Sequence, residues 1–183
     1  MFARLLFAAT LVLLASPAGA QSVVALPNSS TTTTLTAAVS EQASVSVPAS
    51  VTFNVTNIAA TTNATAQTIS IQNIVLASAT KQLAVSLIAN AASFTPPVAG
   101  ATTWSAGDVA WTTPNGGPNA WVNGTRNNGT LSSAAYTLVA TCNADVSSCS
   151  TTGFSMTLGP KTTVLRSGAH TLTITWKFES IGI

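Results

Sequence analysis

In His170–Glu179, Leu172, Ile174, Trp176 and Phe178 take every second position, with Thr171, Thr173, Thr175 and Lys177 between them. A β-strand sends successive side chains to opposite faces, whereas a helix, with about 3.6 residues per turn, would scatter this set around its circumference. The segment predicts a strand with one face in a core and a threonine face toward solvent or a partner. The same alternation recurs at Val51, Phe53 and Val55, at Ile69 and Ile71, and at Leu83, Val85 and Leu87. It returns at Val109 and Trp111, at Tyr136, Leu138 and Ala140 leading into Cys142, and at Phe154, Met156 and Leu158. Turn-forming clusters separate the runs: Pro96-Pro97, Asn115–Pro118, Asn123-Gly124, Asn128-Gly129 and Gly159-Pro160. No capped stretch of helical period competes with them. The expected fold is all-β, a two-sheet antiparallel β-sandwich, immunoglobulin-like in the broad sense, with a closed barrel as the alternative. Thr113–Ser133, heavy in Gly, Asn and Pro, is expected to be a surface loop or loose hairpin.

The N-terminus reads as an address. Arg4 is followed by the largely apolar run Leu5–Leu14, the helix breaker Ser16-Pro17 and the small residues Ala18-Gly19-Ala20. That is the layout of a cleaved signal peptide over residues 1–20, too short to span a bilayer, which takes about 20 apolar residues. The mature chain then starts at Gln21, with no cysteine placed for lipid attachment, no long apolar C-terminal tail and no integral membrane span. Residues 21–34, including the low-complexity run Asn28–Thr34, are expected to be a flexible Thr-rich lead, and residues 35–183 a single domain. Within it, Leu35, Ala37, Val39, Glu41, Ala43, Val45 and Val47 fall on one side of an alternation, interrupted only by the charge of Glu41. A usual strand has about five or six residues. Either two strands meet near Glu41 or one strand outruns its own sheet, so residues 35–47 are a first strand or a candidate for strand exchange.

Charge narrows the function classes. Asp, Glu, Lys and Arg make up 5% of the chain, against about 25% in typical soluble domains. Removing Arg4 from the six basic residues leaves five against four acidic ones, a net charge of +1. The pI of 8.8 therefore rests on a very small surplus. No basic stripe exists to neutralise phosphates, which argues against nucleic acid as a partner. A weakly charged surface permits self-association. Cys142 and Cys149 are the two cysteines, and in an exported chain they are expected to form one disulfide closing a short loop. His170 is the single histidine, too little for a metal centre with these cysteines, and no cofactor is expected. Titratable groups for acid–base catalysis are scarce. Ser78-Ala-Thr-Lys81 matches an S-x-x-K pattern without its companion motifs, a chance match in so Ser-rich a chain. The chain reads as non-enzymatic.

Of the four tryptophans, Trp176 lies on an alternating apolar face, whereas Trp104, Trp111 and Trp121 lie in or beside the Gly/Asn/Pro-rich region. The latter three either cap the end of a sandwich or stack on sugar rings, the basis of an alternative reading as a monomeric carbohydrate-binding module. The segment Leu165–Phe178, a Gly-containing turn followed by alternating Thr and aliphatic residues, resembles the closing strands of secreted bacterial immunoglobulin-like and fimbrial domains. With the signal peptide, low charge and alternating N-terminal segment, the chain is similar in pattern to chaperone–usher pilus subunits. That resemblance implies passage through the periplasm to the cell surface or medium, and self-association or contact with other surface subunits by β-strand addition. Gly182 stands where those pilins usually carry an aromatic, and the Cys142–Cys149 spacing is more local than theirs.

Overall fold

The computed structural model describes residues 33–183. The signal peptide expected over residues 1–20 and most of the lead expected over 21–34 lie outside the described residues. Residues 33–40 form no strand and are exposed throughout. Among the described residues no helix is long and apolar enough to cross a membrane.

The strands are β1 (Gln42–Ser46), β2 (Thr62–Asn63), β3 (Gln67–Val75), β4 (Lys81–Ala89), β5 (Val109–Thr112), β6 (Gly124–Arg126), β7 (Gly129–Thr130), β8 (Thr137–Cys142), β9 (Ser148–Leu158) and β10 (Ile174–Gly182). A 3-10 turn, Ala106–Asp108, leads into β5. All strand pairings are antiparallel. They build a six-stranded sheet in the order β1-β3-β9-β5-β7, with β2 continuing along β9 past the end of β3. A second, four-stranded sheet has the order β10-β4-β8-β6. Among the described residues no pairing between these strands joins the two sheets, which are linked by an isolated bridge between Val122, just ahead of β6, and Ser150 of β9, so the architecture is a sandwich rather than a closed barrel.

Most of the alternating runs become strands, with the core where the pattern puts it. Ile69, Ile71, Leu83, Val85, Leu87, Val109, Trp111, Phe154, Met156 and Leu158 are all buried. Two β-bulges change the phase of the pattern along a single strand. In β9, Gln67 pairs with Phe154 but Ile69 with Thr151, so β9 carries one extra residue opposite β3. Cys149, Thr151 and Gly153 are buried before the shift and Phe154, Met156 and Leu158 after it. Gly153 is required there, because a Cβ would lie 2.6 Å from both the Asn119 carbonyl and the Pro114 ring. In β8, Val85 pairs with Ala140 and Ser86 with Leu138, which leaves Val139 as an extra, fully buried residue. Tyr136 is consequently not on the core face with Ala140. It is exposed, with the Lys177 ammonium 5.0 Å from its ring centre.

The disulfide between Cys142 and Cys149 forms as expected, closing a loop of residues 143–148. It does more than close the loop, because Cys142 ends β8 in one sheet and Cys149 lies in β9 of the other. Nearby, the chain passes through Asn127 and Asn128 from β6, at the edge of the four-stranded sheet, to β7, at the edge of the six-stranded one. That corner closes one side of the sandwich. Trp111 packs beneath it, fully buried, its indole N–H donating to the Asn127 carbonyl at 2.9 Å. On the opposite side, among the described residues, both edge strands, β1 and β10, have no strand neighbour beyond them.

Two expectations fail here. Val51, Phe53 and Val55 keep their alternation and lie half-buried against the core, but they pair with nothing and form no strand. The long alternation over Leu35–Val47 is one short strand, β1, starting after Glu41, and not a continuous strand.

Candidate functional site

The open side of the sandwich holds a cavity of about 1220 Å³. One wall is the extended segment 48–56, with Val51, Phe53 and Val55 turned toward the core. The other is 164–174, the end of the β9–β10 connection and the start of β10. Trp104, Val109, Leu131, Met156, Leu158 and Trp176 form an apolar floor. Trp176 is only half-buried, packing edge-on to Phe154 with ring centres 5.5 Å apart. Arg166 carries the one charged side chain in the lining.

The backbone of the walls is the telling feature. Buried or half-buried peptide groups are nearly always paired. Among the described residues, the only backbone hydrogen bond within 48–56 runs from the Val55 N–H to the Phe53 carbonyl, at 3.1 Å. Across the cleft, Thr171 and Thr95 exchange two bonds (2.7 and 3.0 Å), and the Thr173 carbonyl accepts from the Asn90 N–H at 2.9 Å. The cleft therefore presents extended, under-paired backbone above an apolar floor.

The 164–174 wall is anchored through Trp104. The Trp104 indole N–H donates to the Gly159 carbonyl at 3.0 Å, and its ring meets that of His170 edge-on, centres 5.2 Å apart. Lys161 lies 2.8 Å from Asp108, whose carboxylate also accepts from the Ser105 amide and hydroxyl. Partial burial works against the charge of Asp108, but the Lys161 ammonium and the two Ser105 donors outweigh it and hold the carboxyl below its usual range.

The residues marked for strand exchange separate into two groups. Leu35 (93% exposed), Ala37 and Val39 (71%) are in no strand. Ala43 and Val45 belong to β1 and Val47 follows it, with Ala43 and Val47 packed against the core, so these three serve the chain's own sheet. Glu41 divides the groups. Its carboxylate accepts from the Ala77 N–H (2.7 Å) and the Ser180 hydroxyl (2.9 Å), tying the start of β1 to the β3–β4 turn and to β10. Those two bonds, the Ala77 amide foremost, lower its pKa.

Trp104, Trp111 and Trp121 are buried, at 4%, 0% and 8% exposure, so none offers a face on which a sugar could stack. They close the interior beneath the loops. Ser78 bonds the Thr80 hydroxyl at 2.8 Å in the exposed β3–β4 turn, and its link to Lys81 is a turn hydrogen bond from the Lys81 N–H to the Ser78 carbonyl at 3.1 Å. Among the described residues, no group of three or more metal-ligating side chains comes together.

The cleft walls were not foreseen as a site. Their signal was present in the Val51–Val55 and Leu172–Trp176 alternations, but periodicity reports a half-buried face and not whether a strand has a neighbour. Comparison with protein-family models, curated proteins and solved structures gives no match to this chain.

Proposed function

We propose that this chain is a non-enzymatic structural or adhesive subunit of a bacterial surface or extracellular assembly, exported through the periplasm, whose copies associate head to tail by β-strand addition. In this reading the donor is the segment Leu35–Ser40, and the acceptor is the cleft of the next copy. The observation that carries it is the cleft's 48–56 wall, extended and almost without backbone hydrogen bonds, above an apolar floor. A small apolar ligand would leave those peptide groups unmet, and small-molecule pockets are usually about 300–1,000 Å³. A peptide strand supplies backbone donors and acceptors and, through side chains on one face, apolar cover for the floor.

Leu35, Ala37 and Val39 provide that face, with Thr36 and Ser40 among the residues opposite. Chain length favours a second copy as the donor. Glu41 is held beside Ser180, and Ile174, at the cleft, lies six strand residues away, about 20 Å. The six residues Leu35–Ser40 span at most about 20 Å, so doubling back from Glu41 would exhaust them before they entered the cleft of their own chain.

The test compares the mature chain with one lacking residues 21–40, by size-exclusion chromatography and electron microscopy. The mature chain should form linear assemblies, and the shortened chain should fold, stay monomeric and bind a peptide of residues 31–40. A mature chain that remains monomeric at high concentration and in native extracts would sink the proposal. A monomer with the segment folded into its own cleft would do the same.

A further inference from the structure

The single histidine sits at the rim of the cleft with both ring nitrogens engaged. Nε2 lies 3.1 Å from the Arg166 carbonyl and Nδ1 2.7 Å from the Thr103 hydroxyl. A carbonyl only accepts, so Nε2 carries the proton, and in the neutral ring Nδ1 accepts from Thr103. His170 thus joins two connections, the one holding residues 90–105 and the one holding residues 159–173.

The 164–174 wall is secured very unevenly. Near its root, Gly159 and Lys161 make four contacts with the body. The Gly159 N–H donates to the Asp108 carbonyl (2.7 Å), and its carbonyl accepts from Trp104. The Lys161 N–H donates to the Ile58 carbonyl (2.7 Å), and its ammonium pairs with Asp108. Residues 165–169 are then exposed, with Gly168 close against Pro97. Beyond them the wall returns to the body at His170 and at the Thr95–Thr171 bridge.

We infer that His170 is a positioning residue for the cleft, a latch that fixes the far end of the 164–174 wall against Thr103 and so sets the gap an incoming strand must fill. The inference rests on the strand-addition reading for its consequence but not for the latch itself. A wall held in place before binding has little freedom left to lose when a strand docks, whereas an unlatched wall must be ordered at that moment, and affinity falls.

Glutamine places an acceptor and a donor at a spacing close to that of the two imidazole nitrogens. His170→Gln should therefore keep both hydrogen bonds, while His170→Phe keeps the ring against Trp104 and loses both. Thr103→Val removes one bond from the other side and serves if His170→Phe fails to fold. Two readouts on the full mature chain, held monomeric by dilution, separate the latch from its consequence. Amide exchange at Thr95 and Thr171 should quicken at least tenfold in His170→Phe, with β4 and β9 unchanged and His170→Gln close to wild type. The dissociation constant for a fluorescent peptide of residues 31–40 should rise about tenfold in His170→Phe, less in Thr103→Val, and within twofold in His170→Gln.

Unchanged exchange in His170→Phe and Thr103→Val overturns the latch. So does equal damage from His170→Gln and His170→Phe, which would make the ring, and not its hydrogen bonds, the cause. If the wild-type chain binds no peptide, strand addition fails, and the exchange data still decide the latch on their own.

Discussion

Replacing Trp176 with alanine measures whether the cleft is open in the isolated chain. Truncating a fully buried tryptophan costs about 3–5 kcal/mol. Trp176 pairs in register with Leu87 and packs on Phe154, but the cleft leaves its burial incomplete. Taking about a third off that cost for the partial exposure leaves about 2–3 kcal/mol, the edge-on aromatic pair included. We therefore expect Trp176→Ala to cost about 2–3 kcal/mol. Two substitutions bracket it. Trp111→Ala removes a fully buried ring and orphans the Asn127 carbonyl, and should cost about 5 kcal/mol or more. Thr175→Ala loses only an exposed bond to Asn90, worth under about 1 kcal/mol. Urea unfolding of the chain lacking residues 21–40 would rank the three. Adding the peptide of residues 31–40 should enlarge the Trp176→Ala penalty, because the strand covers the ring. If Trp176→Ala costs as much as Trp111→Ala without peptide, the ring is already enclosed and the cleft is not open in solution. If it costs less than Thr175→Ala, the face assignment of β10 is wrong.

Two further predictions concern stability. Replacing Cys142 and Cys149 together with serine should cost about 2–3 kcal/mol by the loop-closure argument and lower the melting temperature without abolishing the fold, and thiol labelling of the native secreted protein should find no free cysteine. Asp108 has a folded pKa below its ordinary value near 3.8, so its contribution is complete above that value and lost as pH falls through the lower folded one. Asp108→Asn should therefore be less stable than wild type at about pH 7, with the gap closing as pH falls below about 3.8. A melting-temperature gap constant across that range would mean that the carboxylate's charge contributes nothing.

How much of this was legible in the sequence depends on what alternation encodes. It records that one face of an extended segment is buried, and so it located β3, β4, β5, β9 and most of β10. It does not record pairing. Val51–Val55 has the same signature as Leu83–Leu87, yet only the latter has neighbours on both sides. Nor does it record bulges, because an extra residue is defined only against the partner strand. That is why Tyr136 was expected on the wrong face and Val139 was overlooked. The disulfide was legible because two cysteines allow one pairing. The loop tryptophans were ambiguous because a Gly- and Asn-rich context describes the backbone around a side chain and not the direction in which that side chain turns. The link from His170 to Thr103 spans 67 positions and has no local signal.

The two sides of the sandwich differ in a way that bears on the proposed assembly. Exposed sheet edges invite pairing with other chains, and proteins that must avoid it protect them with charges, prolines or covering loops. Here the β6–β7 side is closed by the chain itself, but among the described residues the β1–β10 side is scarcely defended. Outward positions of β1 are Gln42, Ser44 and Ser46, and Val45 is 45% exposed. The charges of β10, Lys177 and Glu179, lie 2.6 Å apart and offset each other. Glu41, the charge that interrupts the N-terminal alternation, is committed to Ala77 and Ser180. It guards nothing along the cleft and instead fixes where the chain's own strand begins and the free segment ends. A chain with 5% charged residues that leaves this one side undefended, beside an apolar cleft with unpaired backbone, has the features expected of a strand acceptor. The same scarcity of charge predicts that its association depends little on ionic strength, since burial and backbone pairing, and not ion pairs, would supply the affinity.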